Sequence, residues 1–326
     1  MSGLEAAIAA AWYRGALWLW LLRPLEFLFR LLAAGRRALY RYGLLSSYRS
    51  PRPLLVVGNI TVGGTGKTPV VIALVEALQA SGLRPGVVSR GYGARAGSLP
   101  HRVGPASSAG QCGDEPLLIY RRTGVPCVVS PNRAAAVREL LSAADVDIVI
   151  SDDGLQHYAL QRDMEIAVLD AGRGLGNGFC LPAGPLREPA SRLAAVDYVL
   201  QRGGADPATA LVYRVDGLVN LESGEQRPLQ AGHDFDTVYA VAGIGQPQQF
   251  FASLAAAGLE VEPRVFPDHH RLTSADFEDL TGRPIIMTEK DAVKCQHIAG
   301  DNAWYLRINA QVPAALLDAV TALARH

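Results

Sequence analysis

Residues 53–69 read Pro53-Leu54-Leu55-Val56-Val57-Gly58-Asn59-Ile60-Thr61-Val62-Gly63-Gly64-Thr65-Gly66-Lys67-Thr68-Pro69. An apolar run leads into a glycine-rich turn and then into a helical pattern, so the stretch predicts strand, loop and helix start. Glycines let the backbone fold tightly enough for several N–H groups to face one phosphate chain, with the positive end of the following helix behind them. In that reading Thr61, Val62, Gly63, Gly64, Thr65, Gly66, Lys67 and Thr68 cradle a nucleotide. Lys67 reaches its outer phosphates, and the Thr68 hydroxyl holds Mg²⁺. Against the pattern G-x-x-x-x-G-K-[ST], Thr61 stands where the first glycine belongs. Pro69 suits an early helical position because it lacks an N–H that the helix cannot use there.

The 326 residues, 49% of them apolar, suffice for one large domain or two ordinary ones. Lys plus Arg and Asp plus Glu number 31 each, so the overall charge gives no footprint for nucleic acid. Cys112, Cys127, Cys180 and Cys295 lie far apart with no C-x-x-C spacing, which argues against a metal cluster and fits a reducing compartment.

Upstream of the loop, residues 4–45 are rich in Leu, Trp, Phe and Tyr, but the uncharged stretch between Arg14 and Arg23 is too short to span a bilayer. No basic residue precedes Arg14, and Glu5 sits where a signal peptide carries positive charge, so a cleaved leader is not expected. On a helical wheel after Pro24, Glu26, Arg30, Arg37 and Arg41 fall on one side and Leu25, Leu28, Phe29, Leu32 and Leu39 on the other, with Arg36 the exception. A basic amphipathic helix beside Trp12, Trp18 and Trp20 suits an anionic membrane surface. Packing on the protein's own core is the competing expectation.

Downstream, β and α patterns alternate. A strand ends in Ser89-Arg90-Gly91-Tyr92-Gly93, making Arg90 and Tyr92 candidates for substrate or phosphate contact, with a plain turn equally open. Residues 94–112 read as a mobile loop. Gly113-Asp114-Glu115-Pro116 opens a helix at 117–122, where the acids either cap it or present a carboxylate to a hydroxyl; the residues alone favour the cap. A strand at 126–130 precedes a helix at 132–144 carrying Arg133 near its positive end. The strand at 147–150 ends in Ser151-Asp152-Asp153-Gly154-Leu155-Gln156-His157, acids that would hold a metal or its water beside the phosphate loop. After another strand, Leu181-Pro182-Ala183-Gly184-Pro185-Leu186-Arg187-Glu188-Pro189 reads as a rigid loop whose Arg187 and Glu188 face the phosphates or pair with each other.

A boundary is expected at 203–209. Beyond it, 211–215 and 218–221 joined at Asp216-Gly217 predict a hairpin. A second α/β lobe follows, including helices at 247–257 and 274–280 and a last helix from Pro313. It carries Pro267-Asp268-His269-His270 and Thr288-Glu289-Lys290-Asp291 at strand ends, where an Asp-His neighbourhood tunes a general base or merely decorates a loop.

Taken in order, residues 61–69, 89–93, 113–116, 152–157, 181–189, 266–269 and 288–291 resemble the lipid A tetraacyldisaccharide 4'-kinase family over nearly the whole chain. The resemblance implies a P-loop NTPase-like α/β/α core over 51–205, a smaller α/β domain over 206–326, and an amino-terminal helical segment over 1–50. A cleft would lie between the lobes, which a small two-stranded element joins. It implies transfer of the γ-phosphate of ATP, with Mg²⁺, to the 4'-hydroxyl of a tetraacyldisaccharide 1-phosphate at the cytoplasmic face of the bacterial inner membrane, held peripherally or monotopically. The expected partners are therefore the lipid substrate and the membrane surface, with no nucleic acid and no protein partner inferred. By position, Lys67 and Thr68 would bind phosphates and metal, Asp152 or Asp153 would complete the metal site, and Asp114 would be the general base. His269 would orient Asp114 or raise its proton affinity. Glu115, Arg133, Gln156, Arg187 and Glu188 match further cleft positions. Gln246 stands where asparagine is expected. A regulatory P-loop ATPase switch without a lipid acceptor is the alternative; it would want a lysine at Val62.

Overall fold

The structure is a computed structural model and describes residues 3–94, 97–229, 235–295 and 298–325. Helix α1 (Gly3–Arg14), a 3₁₀ segment (Leu17–Leu22) and helix α2 (Arg23–Arg41) precede the first strand. There follow β1 (Leu54–Gly58), α3 (Lys67–Ala80), β2 (Pro85–Ser89), β3 (His101–Arg102), α4 (Ala109–Cys112), α5 (Asp114–Thr123), β4 (Cys127–Val129), α6 (Arg133–Ala143), β5 (Ile148–Asp152), β6 (Met164–Asp170) and β7 (Tyr198–Arg202). The remainder comprises β8 (Ala210–Asn220), β9 (Gln226–Arg227), β10 (Thr237–Ala242), α7 (Pro247–Ala256), β11 (Glu260–Val265), β12 (Ile285–Thr288), α8 (Glu289–Ala292), β13 (Ala303–Gln311) and α9 (Ala314–Ala324).

The strands form one sheet in the order β11-β10-β12-β13-β8-β7-β6-β1-β5-β2-β4-β3, with β9 added to β8. In the first lobe β1 pairs in parallel with β5 and β6, and β5 with β2. Its residues alternate between faces as the pleat requires: Leu55 and Val57 pack with α3 and α5, whereas Leu54 and Val56 pack with α6. Both faces are covered, which is why these short strands read as unbroken apolar runs. In the second lobe β10, β11, β12 and β13 are likewise parallel. Parallel strands deliver their carboxyl-end loops to one edge, and in this fold class that edge carries the site.

Several expectations give way to non-local contacts. The hairpin at Asp216-Gly217 is absent: β8 runs straight through it and pairs antiparallel with β13, which slips register between Arg307 and Ile308. Asp216-Gly217 thus forms a bulge, and Gly217 (φ +138°) lies so close to the Arg227 carbonyl that a Cβ there would come within 2.5 Å. The turn that does occur joins β8 to β9. The helix expected at 274–280 shrinks to a single 3₁₀ turn, Ser274–Asp276, closed by a reciprocal Thr273–Asp276 cap. The stretch 94–112 is not loop throughout, since it holds β3 and α4; residues 95 and 96 lie outside the described residues.

The boundary expected at 203–209 falls between β7 and β8, which pair in parallel, so the sheet is continuous across it. Moreover, α9 returns to the first lobe, burying Leu316 and Val320 in the same apolar cluster as Leu74 of α3 and Leu117 of α5.

Helix α2 is amphipathic in an unexpected sense. Its polar stripe turns inward: Glu26 is only 2% exposed, accepts the Cys180 N–H at 3.1 Å, and is paired with Arg23 and Arg30. Phe29, expected on the apolar side, packs on the core with Tyr48. Leu25, Phe27, Leu28, Leu31 and Leu32 are exposed. The wheel drawn from sequence finds an apolar and a polar side, but it misplaces Phe29 and cannot tell which side meets the protein.

Candidate active site

The loop after β1 has the backbone that its glycines predict, with Gly63 at φ +103° and Gly66 at φ +83°. Thr61 is no defect in the pattern. It is extended and bridges to Leu186, while the Val62 N–H donates to the Pro185 carbonyl and the Arg187 N–H to that of Ile60. The proline-rich segment 181–189 therefore braces the entry to the loop, where a side chain is tolerated. Helix α3 starts at Lys67.

At the end of β5, Asp152 and Asp153 diverge. Asp153 sits in the left-handed region (φ +48°) and turns its carboxylate to Lys67 Nζ at 3.5 Å and Arg187 Nη1 at 3.1 Å. Burial opposes its charge, but Lys67 and Arg187 prevail and hold its pKa at about 2. Asp152 is fully buried and receives only Ser89 Oγ; its Oδ1 has no partner. Burial, reinforced by Glu115 and Asp153, pushes its pKa up to about 7. Arg133 is buried beneath, donating to the carbonyls of Ser130 and Asp152, so it fixes the turn and does not point into the cleft. Arg187 and Glu188 do not pair with each other: Glu188 is engaged by Gln156 and Tyr158. Gln156 also donates to the Asn59 carbonyl, and its own carbonyl accepts from Arg36 of α2.

Across the cleft, the loop after β11 brings His269 to α5. Its Nδ1 lies 3.1 Å from Asp114 Oδ2, and its backbone is left-handed (φ +62°). Among the described residues the two non-glycines with positive φ are Asp153 and His269, and backbone held in sparsely populated regions gathers at functional sites. Asp114 does not act as a side-chain cap of its helix; it is the first helical residue and is largely buried. Burial would raise its pKa, but the His269 hydrogen bond and the charges of Lys294 and Lys290 outweigh it and leave Asp114 below the ordinary aspartate value. The His269 ring thus lies where it can hold the Asp114 carboxylate in one orientation. Tyr92 is exposed, with its ring centroid 5.2 Å from that of His269; Arg90 is exposed without an ion pair among the described residues.

A cavity of about 670 Å³ lies between the lobes. Residues 64–69, Glu115 and Asp170 line it from the first lobe, and Gln246, Asp268 and Lys290 from the second. Several side chains that build it had no task assigned from the sequence. Lys290 holds Glu115 at 3.4 Å and Asp268 at 3.3 Å, and so ties the two lobes beside the phosphate loop. Tyr213 donates to the Gly66 carbonyl, and Gln246 donates to that of Gly64 and to Asp170. The Thr288-Glu289-Lys290-Asp291 run had signalled Lys290 as part of a strand-end motif; nothing local marks Tyr213, which lies mid-strand.

Whether a Mg²⁺-nucleotide fits is decided by the donors. A phosphate-loop metal takes one hydroxyl, one acid and phosphate oxygens, not a protein cage. Among the described residues no group of three or more His, Cys, Asp or Glu is arranged to hold a metal. The unpartnered Oδ1 of Asp152, near the carboxyl end of β5, is the kind of orphaned acceptor that such a site supplies.

Comparison with known proteins gives a consistent answer. The family model for LpxK, tetraacyldisaccharide-1-P 4'-kinase, matches residues 18–325. The tetraacyldisaccharide 4'-kinase of Azotobacter vinelandii is 52% identical over 318 residues, covering 97% of this chain and 96% of that protein. That of Pseudomonas aeruginosa (strain LESB58) is 51% identical over 306 residues, covering 93% and 92%. The crystal structure of LpxK from Aquifex aeolicus in complex with ATP superposes with a TM-score of 0.77 at 26% identity, covering 94% of this chain and 99% of that one.

Proposed function

The chain belongs to the tetraacyldisaccharide-1-P 4'-kinase family, and from that membership we infer how its cleft divides the labour of the reaction. The protein is a kinase of lipid A biosynthesis: it transfers the γ-phosphate of ATP to the 4'-hydroxyl of tetraacyldisaccharide 1-phosphate, giving lipid IVA. ATP and Mg²⁺ are its cofactors.

Residues 61–68 hold the triphosphate by backbone amides, and Lys67 neutralises its outer phosphates. Mg²⁺, when bound, spreads the charge that develops on the transferring group. Thr68 and Asp152 would be its protein ligands. Asp152 is preferred to Asp153 because Asp153 already spends its carboxylate on Lys67 and Arg187, while an oxygen of Asp152 is free. Asp153 instead aims Lys67.

Asp114 takes the proton of the sugar hydroxyl, and His269 holds that carboxylate in place. A base kept below the ordinary aspartate pKa is ionised at neutral pH and ready to accept the proton, which suits a reaction whose demand on the base is modest. The single observation carrying this reading is the 3.1 Å Asp114–His269 contact between the lobes, whose chain neighbours Glu115 and Asp268 line the same cavity as the phosphate loop. Glu115 lines that cavity, Arg187 sits on Asp153 and Tyr92 lies beside His269, and these three are proposed to position the substrates; Arg133, Gln156 and Glu188 support the loops that carry them.

The exposed apolar face of α2, with Leu17, Trp18, Trp20 and Leu21 beside it, is proposed to lie in the membrane surface and to offer the tails of the lipid a way to the cleft. No described helix is long and apolar enough to cross a membrane. The cytoplasmic side follows from the ATP requirement and fits four buried free cysteines.

The test is to incubate the protein with γ-labelled ATP, Mg²⁺ and detergent-dispersed disaccharide. Label in the lipid at the 4'-position supports the reading. Label released only as inorganic phosphate, with none in the lipid, defeats it in favour of an ATPase switch.

A further inference from the structure

A buried cation beside the Asp114–His269 pair is Lys294, which follows α8 and has a side chain only 6% exposed. Its ammonium lies 2.6 Å from Asp291 Oδ1, 3.2 Å from the His270 carbonyl and 3.9 Å from Asp114 Oδ2. Asp291 is fully buried, and its other oxygen receives the Gly243 N–H at 2.9 Å and Thr288 Oγ1 at 2.6 Å. It is therefore anchored to the ends of β10 and β12 before Lys294 reaches it. A buried ion pair is weak evidence for stability alone, since desolvation offsets much of the attraction. This one is directed, because its cation stands between the backbone beside His269 and the carboxylate of Asp114.

We propose that Lys294 is a positioning residue for phosphoryl transfer, tying Asp114 and the backbone at His269 into one geometry from an anchor on Asp291. The proposal rests on the reading of Asp114 as the base. The other titratable groups around Asp114 are His269 from the β11 loop, Lys290 from α8, Glu115 next to it in the chain, Cys112 from α4 and Cys295 next to Lys294, whose thiol burial pushes up to about 12. His269 also has Asp268 at 3.8 Å from its Nε2. Glu115 and Asp268 are both paired to Lys290, and burial pushes the Cys112 thiol up to about 11, so Cys112 is neutral. Lys294 is thus the cation committed to the inner side of Asp114, and its charge acts in the same direction as the His269 hydrogen bond.

The experiment is the pH profile of kcat/KM for the lipid from about pH 3 to pH 8, which spans the range of an aspartate limb, with folding checked by circular dichroism at each pH. Lys294→Met is expected to lower kcat at least about tenfold and to move the acidic limb upward by about one pH unit. KM for ATP should change little, and Lys294→Arg should restore the limb. Because Lys294→Met leaves Asp291 buried and unpaired, the double variant Asp291→Asn/Lys294→Met is the control. Asparagine keeps an oxygen for Gly243 and Thr288, no buried charge is left over, and the same upward shift is expected. An acidic limb in the folded double variant that superimposes on the wild-type limb would overturn the proposal. Asp114→Asn separates this from failure of the base reading: if its residual activity keeps the wild-type acidic limb, Asp114 is not the titrating base and both fall.

Discussion

Tyr213 Oη donates a 2.5 Å hydrogen bond to the carbonyl of Gly66, from a strand that the two lobes share to the hinge of the phosphate loop. Gly66 is left-handed, and a Cβ on it would lie 1.9 Å from that hydroxyl. Loop and tyrosine are therefore fitted to each other. Tyr213→Phe removes one hydrogen bond worth about 0.5–1.5 kcal/mol and should weaken ATP binding by a few-fold to about tenfold by calorimetric titration. Gly66→Ala should abolish binding, because neither the backbone nor the tyrosine can yield. An alanine variant with normal affinity would contradict the fit.

A second contact clamps the lobes from behind the cavity. Arg122 of α5 is 5% exposed and bridges Glu76 of α3 to Glu289 of α8, and it also donates to Asn309 of β13. Arg122→Ala strands Glu289, whose pKa burial already raises against the pull of Arg122. Breaking a buried pair by removing one partner costs about 3–5 kcal/mol. Urea unfolding should show a loss of that order; a loss below about 1 kcal/mol would mean that the pair is solvated and the lobes are held by packing alone.

Acid sensitivity follows from Asp114. Its pKa is lower in the folded chain than in the unfolded one, so the folded state gains from its ionisation at pH values above the unfolded value of about 3.9. That gain is lost as pH falls from there through the folded value. Melting temperatures measured from about pH 6 down to pH 3 should therefore fall less steeply for Asp114→Asn than for wild type. Parallel curves would show that the carboxylate is not stabilised by His269, Lys294 and Lys290.

Membrane contact is best tested by substitution, not deletion. Removing the amino terminus would also remove Glu26 from Cys180 and Trp12 from the Pro182 carbonyl, contacts that hold the rest of the chain. Leu28 and Leu32 are 51% and 65% exposed and touch no core. Full burial of a leucine is worth about 1.5–3 kcal/mol, so half-exposed ones retain about half of that to offer a bilayer. Leu28→Glu/Leu32→Glu should reduce sedimentation with anionic vesicles by about tenfold or more without changing the melting temperature. Unchanged sedimentation would place the membrane surface elsewhere.

What could be read from the chain, and what could not, divides along sequence distance. The phosphate loop, the Asp152-Asp153 turn and the alternating elements of the first lobe are local patterns, with each strand and its following loop adjacent in sequence. Asp114 was ambiguous for the opposite reason. An acid opening a helix looks like a cap until a histidine 155 residues away is brought against it. Asp216-Gly217 has the composition of a turn, yet the long β13 offers β8 a partner that outweighs a two-residue preference. Tyr213 and Lys294 lie in stretches without any motif; only the placement of β8 against the loop, and of α8 against α5, gives them a task. The wheel of α2 puts Glu26 on the polar side, yet Glu26 is the residue turned inward, because Cys180 presents an N–H that an acid can satisfy.

The assignment of Asp114 as the base carries the most, and turnover of Asp114→Ala measured alongside its ATP affinity tests it most directly. General-base assistance contributes about 10²- to 10⁴-fold, so kcat for phosphate transfer to the disaccharide should drop by that order while the ATP dissociation constant stays within about twofold. A variant that transfers phosphate at the wild-type rate, or that loses nucleotide binding along with turnover, would contradict the account.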